Sequence, residues 1–280
     1  RSWATERGRW RRARWAKRAS GHERDLRHQR SDPPCGRVFP EVDSATVPFL
    51  TTEQMAEVDR AMIDDYGILL MQMMENAGRS LAHLARARFF EGSPSGMRVA
   101  VLAGVGGNGG GALVSARRLR NWGASVEVCV SKPGSDFADV PRHQLEVIER
   151  MGVPCQVGPP SSEGVFDLVV DGLIGYGLSG PPRGTVATLI EWANASPAPI
   201  LSLDAPSGMD ATSGAAYAPA IRATATMTLA LPKVGLGRDS ASSHVAELYL
   251  ADIGVPPDLY AALGLDVGPL FSECDIVRLV

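Results

Sequence analysis

The chain has 280 residues, of which 45% are hydrophobic and 21% charged, a composition typical of a globular protein with a substantial core. Its formal net charge of −3 gives no reason to expect nucleic acid or a membrane as a partner. Every apolar run is far shorter than the ~18 residues that suggest a transmembrane helix. We therefore expect a protein that binds neither nucleic acid nor membranes.

The charge is unevenly distributed along the chain. Residues 1–40 contain 12 Lys/Arg and 4 Asp/Glu, a net of +8, whereas the other 240 contain 16 and 27, a net of −11. An Arg-rich leader can be a transit peptide or a nucleic-acid-binding arm, but acidic residues interrupt this one and no cleavage pattern follows. We expect residues 1–44 to be a disordered basic extension and residues 45–280 to form one domain.

The four cysteines, Cys35, Cys129, Cys155 and Cys274, contain no C-x-x-C pair. Their spacing predicts neither a zinc site nor a disulfide framework. Cys129 lies in an apolar run typical of a strand and is expected to be a buried, reduced thiol. A reducing cytoplasm is the compartment that fits these features.

Strands and helices alternate along the chain. Thr51 to Gln54 form a predicted capping box that begins a helix, and a second helix is predicted at about 69–90. Further elements follow: strands at 98–103, 125–130, 167–170, 200–203, 224–231 and 247–250, and helices at 112–122, 141–151 and 185–194. Short, continuously apolar strands between helices predict an α/β fold, a Rossmann-like three-layer sandwich whose mostly parallel sheet carries helices on both faces. Residues 241–244 are predicted to be a polar loop.

Three segments that follow predicted strands carry candidate ligand-binding residues, because ligands of such sheets bind at the carboxyl ends of the strands. Residues 104–111, predicted to be a loop, contain six glycines in eight positions. Such a segment exposes backbone N–H groups at a helix N-terminus, where anions bind. It matches the dinucleotide pattern G-x-G-x-x-G, but the acidic residue expected about 20 positions later would be Glu127, inside a strand. A standard NAD dehydrogenase is therefore not favoured.

Asp171 and Asp204 each follow a predicted strand, and Ser207 lies three residues beyond Asp204. Together with Asn108, these side chains could surround a hard cation with oxygen ligands, or the carboxylates could catalyse proton transfer. Each aspartate could instead cap the turn after it. Since they follow different strands of one sheet, we expect the four side chains to converge on a single crevice.

Several segments in order resemble the NAD(P)H-hydrate epimerase family, also called the YjeF N-terminal domain family. The similarity extends from about residue 50 to residue 260. It is carried by Leu-Thr-Thr-Glu-Gln-Met (50–55), Met-Glu-Asn-Ala-Gly (74–78), Gly-Gly-Asn-Gly-Gly-Gly (106–111), Asp-Gly-Leu-Ile-Gly-Tyr-Gly-Leu-Ser-Gly (171–180), Asp-Ala-Pro-Ser-Gly-Met-Asp (204–210), Leu-Pro-Lys-Val-Gly-Leu (231–236) and Ala-Asp-Ile-Gly-Val-Pro (251–256).

The resemblance implies an isomerase for nicotinamide nucleotide repair, which interconverts the R and S forms of NADH and NADPH hydrated at C6. It implies K⁺ bound by Asn108, Asp171 and Ser207, a homodimer, and cooperation with a separate NAD(P)H-hydrate dehydratase. We hypothesise that Asp204 is the acid–base residue. The implied substrate-binding residues are Gly107, Asn108, Gly109, Gly110, Gly111, Gly175, Tyr176, Gly177, Leu178, Ser179, Gly180, Pro181 and Asp204.

Three positions depart from the family pattern. Gly107 and Gly111 stand where the family commonly has Asn and Asp, and Tyr176 stands where a small polar residue is common. The change to Gly111 leaves a second function open, a non-catalytic nucleotide-binding or scaffold module of the same fold. A third, a nicotinamide-dependent oxidoreductase, depends on the glycine pattern alone.

Overall fold

A nine-stranded sheet lies at the centre of the structure, a computed structural model that describes residues 38–161 and 164–280. The strands of this described part are β1 Glu41–Val42, β2 Arg98–Ala103, β3 Ser125–Val130, β4 Cys155–Val157, β5 Leu168–Gly172, β6 Ile200–Leu203, β7 Ala225–Leu229, β8 Glu247–Ala251 and β9 Ile276–Leu279. Their order is β1-β9-β8-β7-β6-β5-β2-β3-β4. All neighbours are parallel except β8 and β9, so the sheet is mostly parallel as predicted.

Helices cover both faces of this sheet. They are α1 Thr52–Asp64, α2 Leu70–Phe89, α3 Gly107–Asn121, α4 Asp139–Arg150, α5 Gly184–Ala195, α6 Ser242–Val245 and α7 Pro257–Ala262. Val99 and Val101 of β2 pack into a core cluster with α2, α3 and α4, whereas Ala100 and Leu102 pack with α5. Because successive residues of a strand face opposite sides, one continuously apolar strand contributes to two cores. The predicted three-layer α/β fold is confirmed.

The capping box of α1 is also confirmed. The backbone N–H of Gln54 donates to Thr51 Oγ1 (3.2 Å), and the backbone N–H of Thr51 donates to Gln54 Oε1 (2.9 Å). The helix then buries Met55, Val58 and Met62, which recur at helical spacing on its inner face. The capping box therefore fixes where α1 begins, at the edge of the cavity described below.

Several predicted boundaries are wrong. The helix α3 begins at Gly107 and not at residue 112, so the last five residues of the predicted glycine loop are helical. Asp171 is part of β5 and does not follow it. The polar loop at 241–244 is largely the short helix α6, and β4, β9 and α7 were not predicted. The sheet already includes Glu41, before the predicted boundary at residue 45, while residues 1–37 of the predicted extension lie outside the described residues.

Glycines allow α3 to approach its neighbours closely. A Cβ atom at Gly78 of α2 would overlap with Gly111 O and with Val114 Cβ, and one at Gly172 of β5 would overlap with the Cβ of Ala112. Gly109 similarly has no room for a side chain, because the backbone of Gly104 lies against it. Glycine has a low helix propensity, so these contacts, and not local preference, explain why α3 starts within a glycine-rich segment.

The cysteines differ in part from expectation. Cys129 is buried and free as predicted, and burial raises the pKa of its thiol to about 12. Cys155 is also free, but Cys274 is disulfide-bonded, which its spacing from the other cysteines did not predict. In the part of the chain that the structure describes, no helix is long and apolar enough to cross a membrane.

We expect Gly78→Ala to destabilise the protein by about 1–3 kcal/mol, since overlap with the backbone of α3 outweighs the better helix propensity of alanine. The free energy of unfolding in urea measures this. Gly177→Ala is the matched control, because no atom lies within 4 Å of a Cβ added there. Equal stability of both variants and the wild type would show that the α2–α3 contact is not tightly packed.

Candidate functional site

A cavity of about 610 Å³ opens where the strand order reverses. The chain proceeds from β2 to β3 and β4 on one side and then returns to β5 on the other side of β2. Parallel sheets bind ligands at such a reversal. The cavity is lined by residues 104–108, which lead into α3, by residues 173–177 after β5, and by side chains that include Asp59, Asp204 and Lys233.

Asp204 is held in an unusual backbone conformation at the carboxyl end of β6. Its φ of +67° lies in the left-handed region, which costs an L-residue about 1–2 kcal/mol. Its backbone N–H donates to Met227 O (2.7 Å), and its carboxylate accepts the backbone N–H of Tyr176 (3.0 Å) and the ammonium of Lys233. Asp204 is thus buried, yet its carboxylate reaches the cavity wall.

Lys233, the ion-pair partner of Asp204, also lines the cavity and was not predicted as a site residue. Only 1% of its surface is exposed, and its Nζ donates to Asp204 Oδ1, Leu229 O (3.1 Å) and Thr228 Oγ1 (3.3 Å). An ammonium group has three donors, so this hydrogen bonding is complete, as a buried ion pair requires. The one signal in the sequence is a lysine within the apolar segment 231–236, after β7.

Asp171 and Ser207 lie behind the cavity wall and contact each other. The Asp171 carboxylate accepts hydrogen bonds from Ser207 Oγ (2.6 Å), Ser207 N (2.9 Å), Ser202 Oγ (2.8 Å) and Leu173 N (3.2 Å). Ser207 Oγ also accepts the backbone N–H of Ile174 (2.9 Å). Burial raises the pKa of Asp171, and the four hydrogen bonds oppose that rise.

Residues 173–176 connect the four predicted side chains. Besides the hydrogen bonds to Asp171, Ser207 and Asp204 described above, this segment approaches Asn108 at Gly175. A Cβ added to Gly175 would lie 2.9 Å from Asp204 Oδ2 and 3.3 Å from Asn108 Oδ1. The four side chains therefore surround one loop, although only Asn108 and Asp204 line the cavity.

The predicted substrate-binding residues divide into two groups. Those that line the cavity are Gly107, Asn108, Gly175, Tyr176, Gly177 and Asp204. Those outside its lining are Gly109, Gly110, Gly111, Leu178, Ser179, Gly180 and Pro181. Gly109 to Gly111 are buried within α3, and a Cβ at Gly111 would meet Leu203 Cδ2 at 2.9 Å. Contacts of this second group with a nucleotide stay predictions.

The residues expected to hold K⁺ fit a hard cation in their chemistry. Asp171, Ser207 and Asn108 all carry oxygen ligands. The fully buried Asp171 carboxylate has no ion-pair partner among the described residues. The buried Nδ2 of Asn108 has no hydrogen-bond partner there, but it is a donor that needs an acceptor, so only Oδ1 of this side chain is a candidate ligand. A monovalent cation beside these groups would balance the buried charge, whose isolation is unfavourable.

A second carboxylate, Asp59 of α1, also lines the cavity and was not predicted as a site residue. Tyr176 Oη donates a hydrogen bond to Asp59 Oδ2 (2.5 Å). Burial raises the pKa of Asp59, as does the charge of Asp204, whereas the Tyr176 hydrogen bond and Lys233 lower it. No sequence pattern distinguished Asp59 from the other acidic residues of α1, because its role depends on packing between distant elements.

Known proteins are similar to this chain in amino-acid sequence and in fold. A family model described as YjeF-related protein N-terminus matches residues 70–235. NAD(P)H-hydrate epimerase of Dehalogenimonas lykanthroporepellens is 42% identical over 228 residues, covering 81% of this chain and 90% of that protein. The NAD(P)H-hydrate epimerase of Rhodopirellula baltica is 34% identical over 217 residues, which cover 76% of this chain and 87% of that protein.

Two further comparisons extend this similarity. The Bifunctional NAD(P)H-hydrate repair enzyme Nnr of Moorella thermoacetica is 34% identical over 220 residues. The match covers 76% of this chain and 41% of that longer protein. A crystal structure of yeast ynu0, YNL200c, superimposes with a TM-score of 0.68 and 25% identity, covering 83% of this chain and 100% of the yeast chain. With the sequence match extending across the glycine segment, Asp171, Asp204 and Lys233, the chain belongs to the family described as YjeF-related protein N-terminus.

Proposed function

We propose that this chain is an isomerase, an epimerase that interconverts the R and S forms of hydrated NADH and NADPH. The observation that carries the proposal is the carboxylate of Asp204, fixed by Lys233 at the wall of a cavity beside the N-terminus of α3. The chain is similar to two relatives named NAD(P)H-hydrate epimerase over most of their length. Those names support the same reaction.

Inversion at C6 requires the hydroxyl oxygen to leave the ring, or the ring to open, and the bond to re-form with the opposite configuration. Either route moves a proton on or off oxygen, and a carboxylate within hydrogen-bond reach can carry it. Asp204 is our candidate for that group. Lys233 keeps its carboxylate in one orientation, since the ammonium and the backbone N–H of Tyr176 each bind one oxygen.

The rest of the nucleotide would lie along the two glycine-containing segments. No side chain of the described residues caps the N-terminus of α3, so backbone N–H groups near Gly107 and Asn108 are available to phosphate oxygens, which the helix dipole favours. Residues 107–111 and 175–181 are the proposed substrate-binding segments. Their glycines allow close approach of a ligand to the backbone at Gly107 and Gly177, where a Cβ would meet at most one atom within 4 Å.

We also propose K⁺ as the cofactor, held by Asn108, Asp171 and Ser207. When bound, K⁺ would supply positive charge behind the loop at residues 173–176 and stabilise its position against the substrate. The fully buried Asp171 carboxylate, which has no ion-pair partner among the described residues, supports this site.

The remaining expectations concern partners and location. A dehydratase that consumes the S form is the proposed partner, and the bifunctional name of the longer relatives supports it.

A homodimer through α1 and α2 stays a prediction. Most apolar residues of these helices are buried in the chain's own core, which leaves Ile63 of α1, and Tyr66 and Leu69 between the two helices, exposed for such a contact. The cytoplasmic location stays a prediction too, and the disulfide at Cys274 does not favour it.

A coupled assay tests the proposed reaction. R-form hydrated NADPH is incubated with an S-specific dehydratase and its nucleotide, with and without this protein. We expect NADPH to be recovered faster than by spontaneous epimerisation. Binding of the hydrated nucleotide without acceleration would contradict the proposal and favour the non-catalytic module, and hydride transfer to added substrates would favour an oxidoreductase.

Replacing the buried pair tests the role of Asp204. Asp204→Asn alone leaves the Lys233 ammonium buried without its partner, which should cost about 3–5 kcal/mol of stability. The double variant Asp204→Asn/Lys233→Met removes both charges and should regain most of that stability, while its rate falls by about 100-fold or more. Urea unfolding and the coupled assay measure the two effects.

The exposed Asp239→Asn variant is the control for this series and should match the wild type in both measurements. A double variant that epimerises at the wild-type rate would exclude Asp204 as the proton-transfer group, however stable it is.

K⁺ should stabilise the protein by about 1–3 kcal/mol at a concentration well above its dissociation constant. Melting temperatures in KCl and in choline chloride of equal ionic strength measure this increment. It should vanish in Asp171→Asn, whose baseline stability is lower because four donors lose a charged acceptor, and persist in Asp239→Asn. The same melting temperature in both salts for the wild type would contradict the K⁺ site.

A further inference from the structure

Two carboxylates that line the cavity are hydrogen-bonded to the same residue, Tyr176, one to its backbone and the other to its side chain. The backbone N–H of Tyr176 binds Asp204 (3.0 Å), and its side-chain hydroxyl binds Asp59 (2.5 Å). The length of a tyrosine side chain therefore separates Asp59 from Asp204, and both border the same space. The proposed function uses only Asp204 and leaves Asp59 without a role.

Inversion by loss and re-addition of the hydroxyl has a requirement that one carboxylate does not meet. When the hydroxyl leaves C6, the C–O bond breaks with its electron pair on oxygen, a proton from an acid converts it to water, and the N1 lone pair forms a C=N bond. Water then adds to the opposite face of C6, that C=N bond returns its electron pair to N1, and the added water gives a proton to a base. Nothing is oxidised or reduced, but the acid and the base act on opposite faces of the ring.

The surroundings of the two carboxylates suit different tasks. Asp204 is ion-paired with Lys233, whereas Asp59 forms no ion pair among the described residues and is hydrogen-bonded to a neutral hydroxyl. Burial favours the protonated form of Asp59 and raises its pKa. The charge of Asp204 also raises the pKa of Asp59, and that of Lys233 lowers it. A further ionisable group packed near Asp59 is Tyr260 of α7, whose buried hydroxyl has no partner among the described residues and whose pKa burial raises. Carboxyl groups in such contrasting environments are typical of acid–base pairs.

We infer that Asp59 is a second catalytic residue, which transfers a proton on the face of the nicotinamide ring opposite Asp204. Tyr176 positions it, because the tyrosine hydroxyl fixes the carboxyl of α1 relative to the loop after β5. The inference rests on the proposed epimerase function, and it gives Tyr176, one of this chain's departures from the family pattern, a specific task.

The pH dependence of kcat/KM in the coupled assay, corrected for dehydratase activity, tests this inference. Asp59→Asn should lower kcat/KM by about 100-fold or more and remove one limb of the wild-type profile. Tyr176→Phe should shift that same limb to higher pH, since loss of a hydrogen bond to the carboxylate raises the pKa of Asp59. Asp64→Asn, an exposed substitution on the same helix, should reproduce the wild-type profile.

Each contrary result has a separate meaning. A wild-type rate in Asp59→Asn, or a lower rate with both limbs unchanged, overturns the inference and leaves the proposed epimerase intact, because a merely structural residue would not remove a limb. A profile unaffected by Tyr176→Phe overturns the positioning role of the tyrosine. Absence of epimerisation by the wild type overturns the proposed function and this inference together.

Discussion

The buried ion pair between Asp204 and Lys233 is the interaction on which the site depends. It joins the ends of β6 and β7, and through the backbone of Tyr176 it also fixes the loop after β5. Neither charge is stable in the interior without the other, so the two strand ends keep one relative position. The left-handed backbone of Asp204 is maintained by the same contacts, which direct its carboxylate to the cavity.

Close packing of α3 supplies another part of the cavity wall. Contacts that only glycine permits bring this helix against α2 and β5, and its N-terminus therefore reaches the cavity at Gly107 and Asn108. The two constraints are complementary. One fixes the Asp204 carboxylate that we propose for proton transfer, and the other places the N-terminus of α3 at the cavity, where we propose that the nucleotide's phosphates bind.

The sequence was sufficient to predict the order of most strands and helices, because the apolar pattern of strands such as β2 and the capping box at Thr51 are local signals. The family resemblance is confirmed, and it identified Asp204 and Asn108, which line the cavity. The start of α3 was mispredicted because tertiary packing overrides the low helix propensity of glycine. Lys233 and Asp59 were missed because their roles depend on contacts with residues 29 and 117 positions away.

In the proposed function, the nicotinamide ring reacts beside Asp204 at the wall of the cavity. A crystal structure of the wild-type chain with NADPH, which has no C6 hydroxyl to exchange, tests this most directly. We predict C6 of the ring between the carboxylates of Asp204 and Asp59, with the phosphates at the N-terminus of α3. A nicotinamide ring bound outside the reach of Asp204, with adenine in that place, would contradict the account.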